Sequence, residues 1–218
     1  FEHHEEKLKE LKEDYELIYS KTYQLGLELS QKRYEVAQNI ISLVDTQIKD
    51  LYLTHAKFDI NFTKLDTISK SGIDKIDFLV SMNPGQPLRS ISKVASGGEI
   101  SRLMLGLKVV FTILSGISTI VFDEVDTGVS GKVALAVGEK MNSLGNENQV
   151  LCITHLAQVA SFANNHYHVS KFVENNETYT KVTLLNEDEH VIEVAKLISG
   201  NEVSEASILA SKELIGNK

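Results

Sequence analysis

Hydrophobic positions in the first quarter of the chain recur by threes and fours. Leu8, Leu11, Tyr15, Ile18, Thr22, Leu25, Leu29, Lys32 and Val36 follow the a and d places of a heptad, and the pattern resumes in a shifted register through Ile40, Leu43 and Leu51. From Glu5 to Leu53 there is no proline and one glycine, Gly26, among many Lys, Glu, Leu and Gln residues, which are good helix formers. The segment predicts one long helix. At 1.5 Å per residue a helix of ~50 residues reaches roughly 75 Å, longer than a small domain is wide, so it is expected to project as an arm. So narrow a seam calls for a second helix. The chain holds no other heptad segment, and the expected partner is another copy or a segment outside this sequence. The alternative is a long surface helix lying along a globular body.

After the arm the period changes to two. Lys57–Phe62 and Ile73–Val80 alternate as half-buried strands do, and Asn83-Pro84-Gly85-Gln86-Pro87, which holds both prolines, is the strongest turn signal. Residues Glu99–Leu114 form a helical pattern apolar nearly all round, which predicts burial beneath a sheet. Next come a core strand over Thr119–Asp123, a helix over Lys132–Leu144, a strand over Gln149–Thr154 and a short helix over Leu156–Asn164. Apolar strands alternating with helices predict a parallel α/β sheet. His166–Glu174 and Tyr179–Leu185, joined by Asn175-Asn176-Glu177, read as a hairpin. Helices over Glu187–Ile198 and Val203–Ile215, separated by Ser199-Gly200-Asn201, end the chain. The expected organisation is an arm at 1–53 and an α/β body at 54–218.

Composition narrows the classes. With 218 residues, 42% of them hydrophobic, the chain can build one domain and an appendage but not two large cores. No stretch approaches the ~18 uninterrupted apolar residues of a membrane span, and Phe1-Glu2-His3-His4-Glu5 does not resemble a signal peptide. A soluble, cytoplasmic protein with no membrane partner is expected. The net charge of −8 argues against a surface given over wholly to nucleic acid and leaves room for a local basic patch. The one cysteine, Cys152, sits in an apolar run and is expected to be a small buried thiol.

Four short segments carry candidate chemistry. Ser96-Gly97-Gly98-Glu99 opens onto the apolar helix, with Ser96 fit to cap it and two glycines that let backbone N–H groups approach an anion at the positive end of the helix dipole. A plain loop and cap would look the same. The strand ending in Asp123-Glu124 delivers two carboxylates to the carboxyl edge of the sheet, where ligands bind in open α/β folds. Asp123 can hold Mg²⁺, usually through water, and Glu124 can orient and deprotonate a water. Both can equally be loop-facing charges. His155 ends the next strand at the same edge, as a possible ligand contact or as a satisfied structural histidine. The polar turn Asp126–Gly131 follows the acids and can cap a helix or meet a neighbouring subunit.

In this order the segments resemble the C-terminal lobe of an ABC/SMC-type P-loop ATPase head: Ala95-Ser96-Gly97-Gly98-Glu99 looks like the ABC signature and Thr119–Glu124 like Walker B, with Asp126 on the D-loop and His155 on the switch histidine. More closely, Asn83-Pro84-Gly85, Lys93–Arg102, Asp123–Gly131 and Thr154–Ala160 resemble the RecN family of SMC-like bacterial repair ATPases. The resemblance implies ATP and Mg²⁺ as cofactors. Glu124 and His155 would be catalytic, Asp123 would hold the metal, and Ser96, Gly97, Gly98 and Glu99 would contact ATP across a head-to-head dimer. It implies DNA as a partner in double-strand break repair, close to the nucleoid. No Gly-x-x-x-x-Gly-Lys-Ser/Thr occurs; in the resembled family that loop and the paired arm helix lie in the N-terminal half. The chain is therefore expected to be a C-terminal half, inactive alone. A non-catalytic coiled-coil scaffold, or another SMC-family chromosome protein, is the competing reading, and the arm disfavours a transporter nucleotide-binding domain.

Overall fold

The proline-free segment forms α1, Glu2–Asp50, without interruption. The structure is a computed structural model that describes residues 2–94, 97–123, 125–200 and 202–216. It divides into two compact units, Phe1–Thr46 with His55–Val94, and Gln47–Thr54 with Ala95–Lys218.

In the first unit, β1 (Lys57–Ser69) pairs antiparallel with β2 (Gly72–Ser81), and the two-residue β3 (Arg89–Ser90) adds to β2 opposite Leu79 and Val80. β1 runs past the expected Phe62 to Ser69, with its register shifted between Lys64 and Ser69. The hairpin packs on a stripe of α1 in which Gly26 and Ala37 are buried and Ser30 and Arg33 half-buried. A Cβ at Gly26 would lie 2.8 Å from Ile73 Cγ2. The Ser30 hydroxyl donates to Asp74 Oδ1 at 3.0 Å, with Arg33 Nη1 3.9 Å from Asp74 Oδ2. Tyr34 meets Phe62, ring centroids 5.8 Å apart.

This stripe lies one residue beyond the expected seam of 25, 29, 32 and 36. Small residues let the backbone approach closely, and a search for large apolar side chains passes over them. The seam itself is exposed, with Ile18 and Leu25 both at 64%. Two heptad stripes therefore run side by side on α1, one covered by the hairpin and the other largely exposed, with Leu29 reaching Gly72.

The second unit is built on the last turns of α1. Leu51 packs with Leu105, Val109, Phe122, Val125, Val137, Met141, Leu144 and Val159 in one core. Burying each such side chain contributes about 1.5–3 kcal/mol. Helix α2 (Gly98–Ser115) crosses the root of α1 at Gly106, where a Cβ would meet Gln47 Cβ and Ile48 Cγ2 at 3.3 Å. Arg102 fastens the crossing: its Nη1 donates to the Leu51 carbonyl at 3.0 Å and its Nε to the Gly98 carbonyl at 3.2 Å. Helix α2 is covered on one side only, because Met104, Ile113 and Leu114 are exposed, so the expected all-round burial is not found in this chain.

Strand β4 (Thr119–Phe122), helix α3 (Gly131–Gly145) and strand β5 (Gln149–Cys152) form a parallel β-α-β unit with Phe122 opposite Cys152. Both strands stop short of the expected Asp123 and Thr154, which turn out of the ladder. Among the described residues the parallel sheet has these two strands. One face carries the core, while the other exposes Val121, Leu151 and Ile153. Helix α4 covers Ala157–Ala160, shorter than expected, with Leu156 at its N-cap.

The hairpin β6 (Tyr167–Glu174) and β7 (Glu177–Leu184) turns at Asn175 and Asn176, both at positive φ (51° and 66°), as a two-residue type I′ connection demands. Helices α5 (Glu187–Ser199) and α6 (Glu205–Gly216) follow. Asn186 and Glu189 form a capping box at the start of α5. No helix among the described residues is long and apolar enough to cross a membrane.

Candidate nucleotide site at the ends of the parallel strands

The last rung of the parallel ladder is Ile153 N–H donating to the Phe122 carbonyl at 2.9 Å. Beyond it both strands release their polar residues at the same edge, Asp123 after β4 and Thr154-His155 after β5. Asp123 is exposed. Glu124, expected to activate water, and Ser96, expected to lead the signature, lie outside the described residues.

Asp126 is only 2% exposed, and its carboxylate is the hub of the edge. Its Oδ2 accepts from the Thr154 hydroxyl and, at 3.2 Å, from the His155 backbone N–H. The Thr154 oxygen in turn accepts from Leu156 N–H at 3.0 Å, ordering the entry to α4. His155 Nδ1 lies 3.4 Å from the same Oδ2 while the side chain is 74% exposed. Within the turn Asp126–Gly131, Asp126 is buried while Thr127, Gly128, Ser130 and Gly131 are exposed.

Helix α2 starts against that turn. A Cβ on Gly98 would sit 2.6 Å from the Gly128 carbonyl oxygen, and Gly128 itself is at φ +73°. Gly98 is thus required by backbone packing within the chain. Gly97, by contrast, has nothing within 4 Å of a Cβ placed there among the described residues. Gly97 also holds the N-cap position without a side-chain cap bond, so the cap falls one residue after Ser96. Glu99 is exposed in the first turn of α2, a placement the dipole favours.

Cys152, half-buried on β5, has its thiol pushed up to about 11, first by burial and then by the Asp126 charge. At pH 8 its thiolate fraction falls about a hundredfold below that of a thiol near 9. Alkylation by iodoacetamide is expected to be slower than for a free thiol by that factor. Labelling at the free-thiol rate would show that the group is neither shielded nor near a negative charge.

Sequence reasoning placed Asp126 and His155 at one edge but missed Thr154 and Gly128. The signal for Thr154 was a hydroxyl next to the histidine at a strand end; the signal for Gly128 was a glycine in the turn facing the glycines of α2.

No family model matches the chain. Among curated proteins, the DNA repair protein RecN of Halalkalibacterium halodurans is 38% identical over 222 residues, covering 98% of this chain and 38% of the relative. The DNA repair protein RecN of Bacillus subtilis is 37% identical over 230 residues, covering 98% and 40%. The chain belongs to the RecN family. It spans about two fifths of the length of these RecN relatives. Among solved structures, the Smc head domain with a coiled coil and joint from Pyrococcus yayanosii superimposes with a TM-score of 0.64 at 15% identity, covering 89% of this chain and 36% of that one. At that identity the likeness establishes an SMC-head fold for this RecN-family chain.

Proposed function

We propose that this RecN-family chain is the signature-bearing half of an SMC-like ATPase head. Joined to a half that carries the phosphate loop, it would hydrolyse ATP at a head-to-head dimer interface and act on DNA in double-strand break repair. The observation that carries the reading is the strand-end edge, where Asp123, the Asp126–Thr154–His155 network and the start of α2 meet around the Gly98–Gly128 contact. The uncovered face of β4 and β5 supports a missing half, because parallel sheets are normally covered on both sides. The bare seam of α1 supports a paired helix.

Among the described residues no three His, Cys, Asp or Glu side chains converge as a metal cage. That fits Mg²⁺, which keeps several waters and is held by one or two carboxylates with substrate phosphates. Asp123 would hold it, and the ion would neutralise charge on the phosphate oxygens. Glu124 would orient the attacking water and accept its proton, and His155 would face the terminal phosphate. Ser96, Gly97, Gly98 and Glu99 would contact the nucleotide of the opposite head. The assembly would work in the cytoplasm beside the nucleoid.

The test is Glu124→Gln in the full-length protein. ATP affinity should stay within about threefold while turnover falls about a hundredfold or more, the usual scale of a lost general base, and closed dimers should accumulate. Asp123→Asn should instead weaken Mg²⁺-dependent ATP binding. A wild-type protein that does not hydrolyse ATP with or without DNA would favour the scaffold reading, and unchanged turnover in Glu124→Gln would remove that residue from the role.

A further inference from the structure

We infer that Asp126 is a positioning residue for His155 of its own lobe, its buried carboxylate tying the turn after β4 to the end of β5 and setting the imidazole in the nucleotide site. The inference rests on the ATPase reading above. It assigns Asp126 a role within its own lobe, whereas the turn that begins there was expected to cap a helix or meet a neighbouring subunit.

A buried carboxylate loses several kcal/mol of hydration unless donors replace the water. Ionised aspartate can only accept, and Asp126 Oδ2 has the Thr154 hydroxyl, the His155 backbone N–H and the His155 Nδ1 edge all turned toward it. Both donors, the Thr154 hydroxyl and the His155 backbone N–H, and the nearby ring edge belong to the two residues that leave β5. One oxygen thus fixes the backbone on which the imidazole is mounted and faces one ring nitrogen as well.

A carboxylate beside Nδ1 favours the tautomer protonated there. Nε2 is then left as the acceptor on the far edge of a ring that is 74% exposed. At 2% exposure, Asp126 presents almost no surface that an opposing head could touch. Whatever it contributes to turnover must pass through groups of its own lobe, and among the described residues its carboxylate bonds to Thr154 and His155.

Complementation between heads tests this. In the full-length protein, Asp126→Asn and His155→Ala should each lower kcat about tenfold or more with KM within about threefold. The double variant should be no slower than His155→Ala alone, as for residues acting as a unit. A mixture of Asp126→Asn with His155→Ala protein should show no recovery, because neither lobe of the heterodimer holds both groups intact. Recovery toward roughly a quarter of wild-type turnover in an equal mixture, one working site in each heterodimer, would overturn the inference, since it requires Asp126 of one head to serve His155 of the other. Unchanged turnover in His155→Ala would overturn both the inference and the assigned role of that histidine. Should Asp126→Asn fail to fold, Thr154→Val removes one donor without altering shape. It should lower kcat likewise and add nothing to His155→Ala, and an additive loss would count against the positioning role.

Discussion

Replacing Ser96 by Arg in the full-length protein is expected to abolish ATP turnover while leaving each head's own nucleotide affinity nearly intact. The two glycines of the signature are not equivalent in the structure. Gly98 is backed against the Gly128 carbonyl, whereas Gly97 meets nothing within 4 Å. Among the described residues the first turn of α2 is therefore held from behind by its own lobe and open in front, and the proposed contact with a phosphate carried by another head would use that opening. Backbone N–H groups at a helix start make such a surface attractive to an anion. An arginine at position 96 would fill that space with a long side chain and block closure. Mixing Ser96→Arg protein with protein disabled in its phosphate loop should restore one working site per heterodimer, since an intact signature then faces an intact loop. Turnover measured across mixing ratios should rise and fall with the heterodimer fraction. Full activity in Ser96→Arg, or loss of nucleotide binding in single heads, would end the trans-acting role.

What was legible in the sequence followed from periodicity and turn chemistry. The arm, the parallel strand pair and the terminal helices were read within a few residues, because an uninterrupted helix and a β-branched run leave local signals that packing does not reverse. Asn175-Asn176 marked the hairpin since Asn tolerates the left-handed backbone a two-residue turn needs. Three features were hidden. The stripe of Gly26, Ser30, Arg33 and Ala37 carries few large apolar groups, so it left no hydrophobic trace although it seats the hairpin. Helix α2 read as wholly buried because an apolar face awaiting another segment has the same composition as one already covered. The burial of Asp126, which opens a polar turn, left no local signal because it depends on donors 28 and 29 residues away, Thr154 and His155. Of the candidate site, Asp123 and His155 were placed at one strand-end edge by topology, Glu124 lies outside the described residues, and the bonds of Asp126 to Thr154 and His155 were not legible.

The two adjacent stripes on α1 should respond to mutation in opposite ways. Ile18→Asp with Leu25→Asp puts two charges on the bare seam, whose side chains touch no core of this chain, and surface substitutions of that kind leave stability within about 0.5 kcal/mol. Association through the seam should be lost, because two desolvated carboxylates in a heptad interface cost far more than the leucine contacts contribute. In sedimentation at micromolar concentration, the unmodified chain should associate through its arms and the double variant should be monomeric. Gly26→Leu, one residue away, should do the reverse. Its Cβ alone would press within 2.8 Å of Ile73 Cγ2, and Ile73 is itself buried at 2% exposure, so the side chain cannot swing clear into solvent. Overpacking of this kind costs about 1–3 kcal/mol, set against about 1 kcal/mol regained when glycine leaves a helix interior. The net loss should appear as a lower unfolding midpoint with β1 and β2 released first in hydrogen exchange, while association through the seam persists. A strictly monomeric unmodified chain with a fully helical arm would sink the pairing role of the seam; an unchanged midpoint and unchanged exchange in Gly26→Leu would sink the close docking of the hairpin.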